Sequence, residues 1–148
     1  MEYKKTILLK QLFYLSVLIP LLATGCKKDV TNSIDITVFN WGLKSITTNG
    51  ENEKKPNEDF SNPNAYILTF KNDSTFKLDL STNIGGGEYK IKSNGEIIIE
   101  SYSNFTEIAQ SDFDDKLIEV FNEVTSYKVL GKSLTFKGSK GVVEFKKK

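Results

Sequence analysis

The sequence predicts a mainly β (α+β) domain: a small curved antiparallel sheet or barrel of seven to eight strands with one helix packed on it. Three observations predict it. Short segments rich in β-branched and aromatic residues recur with a period of two, bounded by clusters of Asn, Asp, Gly and Ser. Asn94-Gly95 and Gly131-Lys132 fall between paired segments, where two-residue hairpin turns belong. One stretch alone switches to helical spacing.

The elements follow in chain order. Ile36-Thr37-Val38-Phe39 and Trp41 to Ile46 are strand-like. Thr47 to Asn64 is a long polar loop with Gly50, Pro56 and Pro63. Ala65 to Lys71 alternates, and Asn72-Asp73-Ser74 is turn chemistry. Thr75 to Ser81 sets Phe76, Leu78 and Leu80 against Thr75, Lys77 and Asp79, the pattern of a half-buried antiparallel strand. Glu88 to Lys92 and Glu96 to Ser101 form a hairpin through Ser93-Asn94-Gly95. Ser111 is a helix N-cap, and Asp112, Asp114 and Asp115 place negative charge at the positive end of the dipole. Phe113, Leu117, Val120, Phe121 and Val124 make the buried stripe of that helix. Ser126 to Leu130, Ser133 to Lys137 and Val142 to Lys147 complete the strands.

Composition narrows the chemistry. The chain has 148 residues and a formal charge of +1, with no basic footprint for nucleic acid. All 20 cationic residues are lysine, so the bidentate guanidinium fork is absent. There is no histidine, the commonest general base and metal ligand, and a single cysteine, which allows no internal disulfide. The expectation is a protein that is not an enzyme and takes no metal and no cofactor.

The first residues read as an address. Lys4, Lys5 and Lys10 precede an apolar run from Leu12 to Leu22, followed by Ala23-Thr24-Gly25-Cys26. Eleven helical residues rise only about 16 Å, too little for a hydrocarbon core of about 30 Å. The segment resembles a bacterial lipoprotein signal peptide ending in a lipobox. The resemblance implies cleavage before Cys26 and lipidation of its thiol. Ala23 departs from the leucine that is commonest at that place. The expected organisation is a lipoprotein signal peptide at 1–25, a lipidated cysteine with a polar tether at 26–34, and a β domain at 35–148. The partner this implies is the membrane, through the lipid anchor. Lys27 is not the aspartate that retains such proteins at the inner membrane, which points to the outer membrane of the cell envelope.

The order of elements also resembles the META domain (HslJ-like) family of bacterial envelope proteins. Trp41 in the first strand, then Asn83, Gly87 and Tyr89 at the family's spacing, carry that resemblance over roughly residues 36–147. These four are expected to be structural. Thr82 stands where relatives often have a cysteine, and the segment from Ser101 to Gln110 lacks the second one. The family implies a mainly β fold and an envelope location without a defined activity.

Several groups invite a functional reading. Gly85-Gly86-Gly87 precedes a strand, not a helix, which favours a bulge or barrel corner over a phosphate loop. The acids at 112–115 lack calcium-loop spacing. Glu88, Glu96, Glu100 and Glu107 are ordinary hairpin carboxylates unless they converge. Trp41, Tyr66, Tyr89 and Tyr127 are expected in the core, whereas Tyr102 and Phe105 lie in a segment without clean alternation and are the candidate exposed binding pair. The functional expectation is an anchored, non-catalytic domain that binds an envelope protein or serves a structural role. The alternative is a carrier enclosing a small apolar ligand or lipid in the β domain.

Overall fold

The computed structural model describes residues 35–57, 63–92, 95–106 and 108–148. The segments read as signal peptide, Cys26 and tether lie outside the described residues, as do Ser93, Asn94 and Glu107.

A 3-10 turn, Ile36–Val38, opens the domain. Ten strands follow: β1 (Asn40–Thr48), β2 (Glu51–Lys54), β3 (Ile67–Phe70), β4 (Thr75–Asp79), β5 (Ile84–Ile91), β6 (Ile97–Ile99), β7 (Ser103–Asn104), β8 (Val124–Leu130), β9 (Ser133–Gly138) and β10 (Gly141–Lys147), with one helix, α1 (Asp112–Asn122), before β8. Every pairing is antiparallel, and the order β6-β5-β4-β3-β1-β10-β9-β8 makes an eight-stranded path, with β2 beside β1 and β7 beside β5. A bridge between Glu96 and Ser126 joins the two ends of the path, so the sheet is nearly closed. Among the described residues the fold is therefore a mostly β, barrel-like sheet with a single helix.

The interior is filled with side chains. Trp41, Leu68, Phe70, Leu78, Phe136, Val143 and Phe145 come from the strands and are buried. Phe136 meets Phe70, Phe121, Tyr127 and Phe145 at ring separations of 5.5–6.4 Å. Such tilted and edge-on contacts add to the burial term. From α1, Phe113, Leu117, Val120 and Phe121 enter the same core. The helix forms where its N-cap permits: the Ser111 hydroxyl accepts from the Asp114 amide at 3.1 Å.

Strand direction gives the barrel two distinct ends. β1, β4, β6 and β9 begin at one end, and β3, β5, β8 and β10 finish there. The chain enters the domain at that end, through the 3-10 turn, beside the 71–74 and 130–133 connections and near Lys92 and Glu96. The opposite end carries the β1–β2 and β9–β10 turns, and α1 covers it through ion pairs from Lys116 to Glu53 and from Glu119 to Lys140.

Three expectations are corrected. Ile36-Thr37-Val38 is a 3-10 turn and not a strand, because Asp35 caps it by accepting the Thr37 amide at 2.9 Å and the Trp41 indole donates to the Ile36 carbonyl at 2.9 Å. The polar stretch from Thr47 is not all loop: Asn49 and Gly50 take φ of 52° and 83°, a two-residue turn that returns β2 onto β1. Gly85-Gly86-Gly87 forms no bulge; β5 runs through it in unbroken register with β4.

Candidate functional site

The glycine run shapes the part of the surface with the strongest functional potential. Gly85 and Gly87 pair with Leu78 and Phe76, whose side chains are buried. Both glycines thus face inward. The missing side chain at Gly85 leaves room that Tyr102 fills, its ring stacked on Phe76 at 6.4 Å and 22°, and the one at Gly87 leaves room for the Ser101 backbone. A Cβ at Gly85 would strike the Tyr102 hydroxyl, and one at Gly87 would strike the Ser101 carbonyl. Gly86 faces outward, beneath the ring of Phe105. Chain 101–105 therefore lies tightly across β5, with Gly85 and Gly86 paired to Asn104 and Ser103.

This placement divides the expected pair. Phe105 is 64% exposed, but Tyr102 is half-buried against the core and its hydroxyl donates to Asn104 Oδ1 at 2.9 Å. Tyr102 is not an exposed residue. Burial, with the Asp114 charge behind it, pushes its phenol up to about 12. The exposed apolar companion of Phe105 is Ile108, at 56% exposure, which sequence reasoning missed. The signal available was only negative: residues 105–109 show neither strand nor helix periodicity.

Asn83 holds this segment in place. Its side chain is fully buried; Nδ2 donates to the Ile108 carbonyl at 2.7 Å, and Oδ1 accepts from the Thr106 hydroxyl at 2.7 Å and the Ile108 amide at 3.1 Å. Farther along, Asn104 donates to Gln110, and Gln110 donates to Asp115 in the first turn of α1. Phe105 and Ile108 thus project from a loop whose backbone is pinned at both ends. A groove of about 440 Å³ runs beside Phe105 over the outer face of β4 and β5, lined by Thr75, Lys77, Glu88 and Ser101.

The other candidates fall into structural places. Trp41 is buried and bonded to Ile36. Tyr89 packs edge-on to Phe70 at 4.8 Å and donates its hydroxyl to the Lys71 carbonyl at 2.8 Å; burial raises its pKa. Tyr66 takes φ of 64°, buries its ring and turns its hydroxyl toward Asp114, Ser81 and Ser111. Burial, and then the hydrogen-bonding proximity of Asp114, raises its pKa strongly. Asp114, one of the three acids of the first helical turn, faces the core and accepts from the Ser81 hydroxyl. Asp115 faces out and accepts from Gln110 at 2.7 Å. Glu100 is paired with Lys90 at 2.6 Å, while Glu88 and Glu96 are exposed. Among the described residues no group of three Asp, Glu, His or Cys could hold a metal ion, and no helix is long and apolar enough to cross a membrane.

A second groove, of about 590 Å³, marks the seam where β6 and β8 meet through one bridge; Ile97, Ile98, Ile99 and Val124 line its apolar side and Lys92, Glu96 and Glu123 its polar rim.

No protein-family model and no curated protein matches the chain. Solved structures resemble it in fold. A DUF4847 family protein from Bacteroides vulgatus aligns with a TM-score of 0.56 at 16% identity, over 75% of this chain and 93% of its own. A protein from Burkholderia xenovorans, solved by NMR, gives 0.58 at 10% identity, over 76% and 83%. Another NMR structure gives 0.54 at 20% identity, over 75% and 90%. At these identities the likeness is one of fold alone.

Proposed function

We propose that this chain is a lipoprotein of the bacterial envelope, anchored through Cys26, whose META-like barrel is a non-catalytic module that binds another envelope component. The observation that carries the anchor is the coincidence of a lysine-rich start, a short apolar run and the sole cysteine directly after Ala23-Thr24-Gly25. The absence of histidine and arginine, and an interior filled by aromatic side chains, favour binding at the surface over chemistry in a pocket. Lys27 after the cysteine favours the outer membrane. The binding face is the loop bearing Phe105 and Ile108, since two apolar side chains held on a pinned backbone lose little entropy on association.

Mass analysis of the protein from its own membranes tests the anchor. A mature chain beginning at an acylated Cys26 is expected, and Cys26→Ser releases the chain from the membrane fraction or stalls its processing. An uncut chain with a free thiol overturns the reading. Phe105→Asp with Ile108→Asp tests the face: partner recovery by crosslinking in the envelope falls while the fold is unchanged.

The carrier is the second reading, favoured by the apolar side of the β6–β8 seam. Native mass spectrometry of the protein from its host shows a bound lipid or small apolar molecule if it holds, and bare protein if it does not.

A further inference from the structure

We infer that the end of the barrel where the chain enters the domain is a docking face for an anionic phospholipid surface, a property that rests on the anchor proposed above. The described domain begins at Asp35, so eight residues separate it from Cys26. Fully extended, such a stretch spans about 30 Å. The entering end is thereby kept close to the headgroups, and a weak contact there acts at high effective concentration.

That end has the surface for it. Val38, the last residue of the 3-10 turn, is 64% exposed, and Leu130, before the β8–β9 turn, is 72% exposed, the two most exposed large aliphatic side chains of the described residues. Neither belongs to the core: Val38 closes the 3-10 turn and Leu130 closes β8, both at the tether end of the barrel. Around them lie Lys71, Lys92 and Lys132, each exposed and none ion-paired among the described residues. Two carboxylates share this end and stay charged: hydrogen bonds from Thr37 lower the pKa of Asp35, and those from Thr75 lower that of Asp73. Glu96 is exposed beside them.

The opposite end is built differently. Its lysines are spent on carboxylates, Lys116 on Glu53 and Lys140 on Glu119, and Asp112, Asp115 and Glu123 add further negative charge. The near-neutral chain is therefore uneven along the barrel axis: the tether end sets Lys71, Lys92, Lys132, Lys146 and Lys148 against Asp35, Asp73 and Glu96, whereas carboxylates outnumber lysines among the groups named at the other. A negative lipid surface attracts the first end and repels the second. The loop carrying Phe105 and Ile108 adjoins Ile84 at the start of β5, on the far half of the barrel, which leaves the proposed partner face directed away from the bilayer.

Full-length lipidated protein, reconstituted in vesicles, tests the inference. Paired probe sites flank β9: Ser133→Cys at its start, on the tether end, and Ser139→Cys just past its last residue, on the other, each labelled with a polarity-sensitive dye. In vesicles of equal parts phosphatidylcholine and phosphatidylglycerol, a lipid-borne quencher is expected to dim the Ser133 probe several-fold more than the Ser139 probe. The difference should shrink in pure phosphatidylcholine, in high salt, and in a Leu130→Asp, Lys132→Glu variant of unchanged thermal stability. Flotation is read in parallel. Protein that floats with equally bright probes overturns docking and leaves the anchor standing. Protein that fails to float overturns the anchor and the inference together.

Discussion

At the scale of single residues, the far side of the barrel depends on what one asparagine holds and what three glycines leave out. Asn83 satisfies a backbone amide, a backbone carbonyl and a hydroxyl of the 106–108 stretch while fully buried. Asn83→Ala strands the amide and carbonyl in a place water reaches poorly. The expected cost is about 3 kcal/mol, read as a lower urea midpoint, with new protease cleavage between Ser101 and Gln110. Asn83→Asp should recover only part of it, since the acceptor survives and the donor to Ile108 is lost. Gly87→Ala places a methyl group against the Ser101 carbonyl, a rigid backbone neighbour, and should cost about 1–3 kcal/mol by displacing chain 101–105. Gly50→Ala meets no neighbour within 4 Å; its penalty is confined to the left-handed backbone, about 1 kcal/mol. These contrasts separate a glycine needed for close approach from one needed for a turn. The sequence displays the run at 85–87 but not its purpose, because the crowding partners are Tyr102 and Ser101, fourteen or more residues away along the chain.

At the scale of elements, periodicity identified what packing then used. The alternation of Phe76 and Leu78 against Thr75 and Lys77 survives in β4, which stops at Asp79, itself buried; Phe113, Leu117, Val120 and Phe121 are buried on the helix as their spacing requires, while Val124 is buried as the first residue of β8. The helix begins where Ser111 can cap it, so Ser111→Ala should lower stability by about 1 kcal/mol, with a matching loss in the thermal midpoint. Elements were misread where local signals compete. Ile36-Thr37-Val38 has β-branched residues that favour a strand, yet the preceding Asp35 offers its carboxylate to the Thr37 amide and tightens the backbone into a 3-10 turn. β2 contains Glu51, Asn52, Glu53 and Lys54, all exposed, so no hydrophobic pattern announces it; Asn49-Gly50 was its only marker, and the length of the polar stretch obscured it. The candidate site suffered similarly. Phe105 is exposed in an irregular segment, as residue type and context allow, but Tyr102 is drawn inside by the gap that Gly85 leaves on another strand. Tertiary vacancies of that kind leave no trace in the window of sequence around the residue that fills them.

At the scale of the whole molecule, the buried phenols tie the core to alkaline pH. Tyr66, Tyr89, Tyr102 and Tyr127 all have raised pKa values, first because burial disfavours the phenolate, and for Tyr66 and Tyr102 also because of Asp114. A phenol whose pKa is higher in the folded chain than in the unfolded one adds stability that is fully present below the unfolded value of about 10 and is lost as pH rises toward the folded value. For Tyr102 that folded value is about 12. Unfolded chains release their phenolic protons first, so above about pH 10 each step in pH favours unfolding. The expected profile of the urea midpoint is flat from neutrality to about pH 9, then falls through about pH 11. Tyr102→Phe removes a titrating group and its bond to Asn104, and leaves the ring beside Gly85, stacked on Phe76. That variant should keep most of the neutral-pH stability and show a shallower alkaline fall. Lys90, Lys116 and Lys140, whose pKa values are raised by Glu100, Glu53 and Glu119, add to the alkaline fall in parent and variant alike. An identical alkaline slope in the two proteins would show that the Tyr102 ring is not held in the barrel as described.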